Sequence, residues 1–426
     1  MNRVFLKNVI LRLCSQPRSF EYISKNLSGL DPIEAIAVLS ELEQENKLVC
    51  IDELWTIKEI PVTNTFPFDT HDPHLYLQKY MGYFNFLKNP HPLDYEWRNS
   101  SLSLTRLLNR LLTITVASDN ILFLGMPTLF ATAILKDFPN KVSLIEKNGP
   151  IVQGLKKIIS DQERFRVIES DIFTINPNQI SDFYCVVMDP PWYTPHFRHF
   201  MWLASKVTSI GGIVLISLPP INTRPNIIEE RLNWFSYCRD LGLCIETLEP
   251  QQLQYAMPFF EFNALRAAGV KNILPFWRKG DLAIFRKISE DSIERPFNDN
   301  GVVENWQEKE YNKCRIRIKT IDTNSRIPQT DVPEISSLLK GDILPTVSSR
   351  DERRKAANIW TSGNRIFSTN DPEGLLRTIS LLQKQDPVTD IQQKVKTFIQ
   401  TISNLENQEF KEYLDWIYYE MERQTD

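Results

Sequence analysis

Between about residues 119 and 288, short runs of strand character alternate with helical ones, and this alternation constrains the fold more than any other feature. Strand patterns at Ile121–Leu124, Val142–Ile145, Phe165–Ile168 and Tyr184–Met188 are separated by helical patterns such as Leu129–Leu135 and Pro150–Ile159. Strand, helix and strand in succession need a crossover connection, hence a parallel sheet with helices on its faces. A helix over 197–207, the pair Gly211-Gly212 and an apolar run Ile213–Leu218 extend the series. Leu243–Leu248 and Asp281–Arg286 read as the sixth and seventh strands. The expected core is therefore α/β, with a seven-stranded, mostly parallel sheet.

In such a sheet ligands bind at the carboxyl ends of the strands. The fourth strand ends at Asp189-Pro190-Pro191-Trp192-Tyr193. Proline lacks an N–H and fixes φ, so the strand stops there and the next residues form a stiff turn. A carboxylate, rigid carbonyls and two rings at a sheet edge suit a flat molecule that carries an amino group. The first strand ends at Gly125, the second at Glu146, and Asp171 follows the third. Each acid taken singly would also serve as a loop or helix-cap residue. Their order, each just past a strand, favours a nucleotide site in which Glu146 meets ribose hydroxyls.

Asp189-Pro190-Pro191-Trp192 resembles the motif of class I S-adenosylmethionine-dependent methyltransferases that modify amino nitrogens, above all the N6-adenine type. The resemblance covers about 170 residues and implies a Rossmann-like methyltransferase domain over 119–288 with S-adenosylmethionine as cofactor. It implies that Gly125, Glu146, Asp171 and Ile172 hold the cofactor. It likewise implies that Asp189 and the Pro190 carbonyl orient the acceptor amine on the Pro191 turn, while Trp192 or Tyr193 stacks on it. Where the family has several glycines, this chain reads Gly125-Met126-Pro127-Thr128. The chain is also similar, more distantly, to branched-chain polyamine synthases, which join a winged helix to a class I fold with an Asp-Pro-Pro motif. Those enzymes transfer aminopropyl groups and carry an aspartate-rich loop, whereas Met126-Pro127-Thr128 supplies no aspartate. The expected activity is methyl transfer to an amino nitrogen, first N6 of adenine in nucleic acid. The alternatives are alkyl transfer to a polyamine or protein amine, or a degenerate fold used as a binding module.

The flanks are read without family support. Residues 1–60 show three helical patterns followed by Leu48–Ile51 and Leu54–Ile57, an order like a winged helix. Its third helix carries Asp31, Glu34, Glu41, Glu43 and Glu45 against Lys47, a face phosphates would avoid, so a protein partner fits it better than a duplex. The connector, 61–118, holds many prolines and aromatics, and its Trp97 and Arg98 would close over the site or pack between domains. Asn222–Pro225 and the aromatic stretch Pro250–Gly280 would build a specificity pocket or pack as core. Residues 289–335 read as a linker with a strand at Cys314–Ile318, and 336–426 as mainly helical. Within the latter, Arg350, Arg353, Arg354 and Arg365, with Trp360, would bind nucleic-acid phosphates and stack a base, or form a solvated basic face.

Composition narrows the classes. The 426 residues carry a net charge of −4 and a pI of about 5.9, without the basic excess of a general nucleic-acid binder. The six cysteines are scattered, and His71/His74 and His196/His199 lack further ligands at matching spacing, so neither a disulfide framework nor a metal site is expected. No apolar run reaches the roughly 20 residues of a membrane span, and the expected location is the cytoplasm.

Overall fold

The computed structural model describes residues 3–14, 16–27, 29–58, 88–180, 182–297, 304–320, 333–384, 387 and 389–423. The aromatic half of the connector, with His71 and His74, lies outside them. Helices α1 (Arg3–Leu13), α2 (Phe20–Lys25) and α3 (Pro32–Gln44) pack around Leu6, Ile10, Ile23, Val38 and Leu42. Strand β1 (Arg18–Ser19) pairs with β3 (Leu54–Ile57), which pairs with β2 (Leu48–Ile51). The acids of α3 do not form a bare face: Arg3 pairs with Glu34 and Glu41, and Lys7 pairs with Glu41 and Glu45. Asp31 caps α3, accepting the Ile33 N–H at 2.8 Å, with Pro32 at the first helical position.

The central sheet has eight strands rather than seven. Its elements are β4 (Arg98–Asn99), α4 (Ser101–Ile114), β5 (Asn120–Leu124), α5 (Pro127–Leu135), β6 (Lys141–Glu146), α6 (Gly149–Ile158) and β7 (Phe165–Glu169). These are followed by β8 (Phe183–Met188), α7 (Thr194–Val207), β9 (Thr208–Leu218), α8 (Ile227–Asp240), β10 (Leu243–Ala256), α9 (Phe259–Ala267) and β11 (Lys279–Lys287). The spatial order is β4-β10-β11-β9-β8-β5-β6-β7. Strands β9, β8, β5, β6 and β7 run parallel, whereas β11, β10 and β4 join by antiparallel pairing. Alternation along β5 sorts its side chains: Ile121 and Phe123 meet α4, α5 and α6, and Leu122 and Leu124 meet α7 and α8.

The extra strand and an extension of β10 are connected. Beyond Leu248 the chain was expected to leave the sheet, yet β10 continues to Ala256 through an irregularity between Glu249 and Leu253, where Gln251 has positive φ. That extension is what β4 pairs with, Tyr255 opposite Asn99 and Ala256 opposite Arg98. The aromatic stretch that follows is core: Phe259, Phe262, Phe276 and Trp277 are buried with Tyr413 and Ile417.

The C-terminal part holds a sheet as well as the expected helices. Strands β12 (Asn305–Tyr311), β13 (Cys314–Thr320), β14 (Ile335–Ser337), β15 (Ile359–Thr361) and β16 (Ile366–Thr369) form an antiparallel sheet in the order β12-β13-β15-β16-β14. The expected linker thus supplies two of its strands, β12 and β13. Helices α10 (Pro372–Lys384) and α11 (Asp390–Arg423) cover it through Leu375, Ile379, Val395 and Ile399. Only the strand at Cys314–Ile318 was expected; β14, β15 and β16 have three, three and four residues, too few for a period of two to stand out. Among the described residues no helix is long and apolar enough to cross a membrane, and no group of three or more metal-ligating side chains gathers.

Candidate functional site

Asp189 follows the last residue of β8 and sits at the carboxyl edge of the sheet, as the fourth strand's ending suggested. Its Oδ1 accepts a hydrogen bond from the Tyr255 hydroxyl at 2.9 Å, and Asn99 Nδ2 stands 3.5 Å from Oδ2. Tyr255 also meets Ser217 Oγ at 2.7 Å, and Ser217 accepts the Trp192 indole N–H at 3.1 Å. Each hydroxyl has one proton and a carboxylate only accepts, so the chain is directed: Trp192 to Ser217, Ser217 to Tyr255, Tyr255 to Asp189. Gly280 makes room for it, since a Cβ there would stand 3.0 Å from Ser217 Oγ and 3.1 Å from the Tyr255 oxygen. Dense surroundings desolvate the Asp189 carboxyl and raise it to about 6, although the bonds from Tyr255 and Asn99 pull the other way. The same burial, with the Asp189 charge, pushes the Tyr255 phenol well above its ordinary value.

These groups open on a cavity of about 210 Å³. Gly125–Thr128, Asp189–Tyr193, the segment Tyr95–Asn99 and Tyr255 line it, with Arg224, Arg278 and Asp31. A further wall is Thr346–Ser348 with Arg350, from the C-terminal part. Gly125 has φ +63°, a conformation that disfavours any side chain, and its N–H is held by the Ile145 carbonyl at 3.0 Å. Met126 beside it is buried and Pro127 starts α5, so the turn offers few free backbone donors.

The far wall is an ionic and aromatic lattice. Glu261, only 2% exposed, binds Arg278 and accepts the Trp97 indole N–H at 3.1 Å. The Arg278 guanidinium lies 4.7 Å from the rings of both Trp97 and Trp277. Asp31 joins from α3, its carboxyl raised by burial and restrained by the Arg278 charge. Trp97 and Arg98 thus do border the site, and they are fixed there rather than loose. Upstream of them, Asp94 binds Arg315 at 2.7 Å and also Arg317, and His91 Nε2 meets the Trp360 carbonyl at 3.0 Å. The C-terminal sheet therefore holds the cavity wall in place.

Other expected site residues lie apart from the cavity lining. Glu146 ends β6, and its Oε1 accepts the Asn148 N–H at 2.9 Å, with burial raising the carboxyl. Asp171 Oδ1 accepts the Phe173 N–H at 2.9 Å, a turn-forming bond, and Ile172 is buried in the core. His196 neighbours Phe173 at 5.3 Å, and burial lowers its imidazole to about 4. Of the expected basic set, Trp360 and Arg365 are buried in the C-terminal sheet, Arg365 bound to Glu409 at 2.5 Å, which removes them from any surface that stacks a base. Arg353 is taken by Asp351, Arg354 stacks on Trp360, and only Arg350 reaches the cavity.

Sequence reasoning missed Asn99, Ser217, Arg278 and Glu261. Ser217 had a signal, a lone hydroxyl within the apolar run Ile213–Leu218; Asn99 depends on the β4–β10 pairing, and Arg278 and Glu261 on each other and on Trp97, and these had none.

The sequence matches no protein-family model and no curated protein. Its fold is similar to solved structures. The branched-chain polyamine synthase C9 mutein of Thermus thermophilus, solved with N4-aminopropylspermidine and 5′-methylthioadenosine, matches with a TM-score of 0.56 at 13% identity, over 70% of this chain and 92% of that one. The same organism's branched-chain polyamine synthase without that label gives 0.54 at 13% identity, over 68% and 89%. An N-methyltransferase from Bradyrhizobium japonicum matches at 13% identity over 44% of this chain and 99% of that one, with a TM-score of 0.30. At such identities the likeness to the two synthases establishes fold alone: a mixed α/β chain built on a large, Rossmann-like sheet.

Proposed function

We propose that this protein transfers an alkyl group from S-adenosylmethionine, or a sulfonium nucleoside derived from it, to an amino nitrogen held at Asp189. The observation that carries this is the placement of Asp189, gripped by Tyr255 and Asn99, in a cavity that also contains the open turn at Gly125. The residues fit such a cofactor. Gly125 lacks the side chain that would block a close backbone approach; Glu146, at the end of β6, and Asp171, in the loop after β7, lie outside the cavity lining but on the neighbouring strand ends, where ribose and adenine would be met, and Ile172 is buried in the core. When bound, the cofactor supplies an electrophilic carbon on sulfur.

The chain's own groups then orient and deprotonate. Above pH about 6 the Asp189 carboxylate accepts an N–H of the acceptor through a remaining lone pair, most readily on Oδ2, whose contact with Asn99 at 3.5 Å is longer than the Tyr255 bond to Oδ1. Fixing the nitrogen lowers the entropic part of the barrier more than strong basicity would. A carboxyl near 6 also receives the proton the nitrogen sheds. Trp192, edge-on to Tyr255 with its N–H tied to Ser217, and Tyr193 offer ring faces for a planar acceptor. Our first reading of the acceptor is the N6 amino group of adenine in nucleic acid, flipped out of any stack to enter the cavity. The acidic α3 unit, winged-helix-like in its elements, would then contact a protein partner.

A second reading, aminopropyl transfer to a polyamine, draws support from Asp31, a carboxylate at the cavity far from Asp189's own strand, and from the likeness in fold to a polyamine synthase over 70% of this chain. Calorimetry with S-adenosylmethionine, with Glu146→Ala as control, tests the common part. No heat with either S-adenosylmethionine or its decarboxylated form at millimolar concentration would sink both readings and leave a binding module. Transfer of a labelled methyl group to oligonucleotide but not to spermidine decides for the first reading, and labelled aminopropyl transfer to spermidine decides for the second.

A further inference from the structure

Beside the Asp189 cavity, two guanidinium groups from separate parts of the chain converge on one ring. Arg224, from the loop between β9 and α8, has its Cζ 5.9 Å from the Tyr193 centroid, and Arg350, beyond the C-terminal sheet's β14, has its Cζ at 5.8 Å. Both line the cavity. They share a single carboxylate: Glu230 binds Arg224 at 2.6 Å and reaches Arg350 only at 3.4 Å. Two cations against one anion leave a local surplus of positive charge. The Arg224 side chain is 10% exposed, so much of that surplus is desolvated.

The adjoining loop supplies hydroxyl donors. Thr346 Oγ1 accepts the Ser348 N–H at 3.1 Å, and Ser348 Oγ accepts the Arg350 N–H at 3.3 Å. Each hydroxyl is thereby oriented by its lone pairs, which leaves its proton to donate. The Ser349 N–H points to the Tyr193 hydroxyl at 3.4 Å, fastening the loop to the ring. Two forked guanidiniums with hydroxyl donors around an aromatic face match the planar, bidentate recognition of a phosphate attached to a stacked base.

We propose that Arg224 and Arg350, with Thr346 and Ser348, form a phosphate subsite, so that the acceptor at Asp189 is a nucleoside phosphate. This rests on the alkyl-transfer reading for the role of Asp189. The phosphate belongs either to a free nucleotide or to a nucleic-acid strand. Arg350, half-exposed and weakly paired, swings from Glu230 to the phosphate, whereas Arg224 is already held in position by Glu230.

The test compares adenosine, adenosine 5′-monophosphate and a short single-stranded oligodeoxynucleotide with one adenine, titrated against the full chain saturated with S-adenosylhomocysteine. The proposal expects the monophosphate or the oligonucleotide to bind at least about tenfold tighter than adenosine, with the advantage falling as salt rises. Arg350→Gln should remove most of that advantage and leave adenosine binding unchanged; Arg350→Lys should restore only part of it. The arm that tightens more identifies the source of the phosphate. Equal binding of adenosine and both phosphates overturns the subsite, as does an Arg350→Gln loss that is the same for all three, or no binding of any. Labelled transfer to spermidine with no nucleotide discrimination would leave alkyl transfer standing and remove the subsite. The same discrimination in the chain without S-adenosylhomocysteine, together with no binding of S-adenosylmethionine, would do the reverse.

Discussion

Tyr255 and Asn99 are register partners across β10 and β4, and their side chains meet on the same carboxylate, that of Asp189. Side chains opposite one another in an antiparallel pair share a face, so this two-residue strand is enough to aim both at one point. Tyr255→Phe keeps the ring but removes the bond that holds the Asp189 carboxyl down. The acid limb of the pH–rate profile should then move above 6 by about one unit, with turnover falling about tenfold, as a bond of this kind contributes on the order of 1.4 kcal/mol. An unchanged profile would show that Tyr255 does not set the state of Asp189.

Asp189 itself should limit activity at low pH. Its folded value, about 6, lies above the unfolded one of about 3.9, so the folded chain holds the extra proton between them. The stability contribution is complete below about 3.9 and is lost as pH rises through about 6. Asp189→Asn should therefore raise the melting temperature at pH 8 while reducing transfer by at least about a hundredfold. Parallel loss of both would mean that the carboxylate is structural.

At Gly125 the backbone stands at φ +63°, and alanine there should cost about 1–2 kcal/mol of stability in denaturant titration. Cofactor affinity should fall further than that cost alone explains, because the methyl group also occupies the approach to the turn. Normal affinity in a destabilised variant would remove Gly125 from the cofactor site.

The buried pair of Glu261 and Arg278 carries the cavity's far wall. Glu261→Ala strands a guanidinium and an indole N–H, and should cost about 3–5 kcal/mol in urea unfolding. The double substitution Glu261→Leu with Arg278→Met should recover much of the stability but none of the activity.

Asp94 connects that wall to the C-terminal sheet. Although burial opposes it, the Arg315 and Arg317 charges hold its carboxyl down at about 2, against about 3.9 when unfolded. Its stabilisation is present above about 3.9 and is lost as pH falls through about 2, so acid unfolding should begin there in the parent chain. Arg315→Ala should bring unfolding to higher pH and reduce activity, since Tyr95–Asn99 would lose their anchor. A stable, active Arg315→Ala protein would free the site from the C-terminal sheet.

The sequence by itself determined the parallel half of the sheet and the turn at Asp189, because period, strand ends and the two prolines are local properties. Gly125 could be read for the same reason, as its place after a strand is written in neighbouring residues. Of the C-terminal sheet only the strand at Cys314–Ile318 was legible, since the other strands join it by pairings that run from Asn305 to Thr369. Tertiary structure alone decided which residues surround the carboxylate. Asn99, Tyr255 and Ser217 are far apart in the chain, and only the β4–β10 register and the Gly280 gap bring them together. It also reversed the basic stretch, burying Trp360 and Arg365 and leaving Arg350 to meet Arg224 across Tyr193. The physical reason is the same in each case. A residue's chemical type is local, but its desolvation and its partners depend on which distant surfaces fold against it.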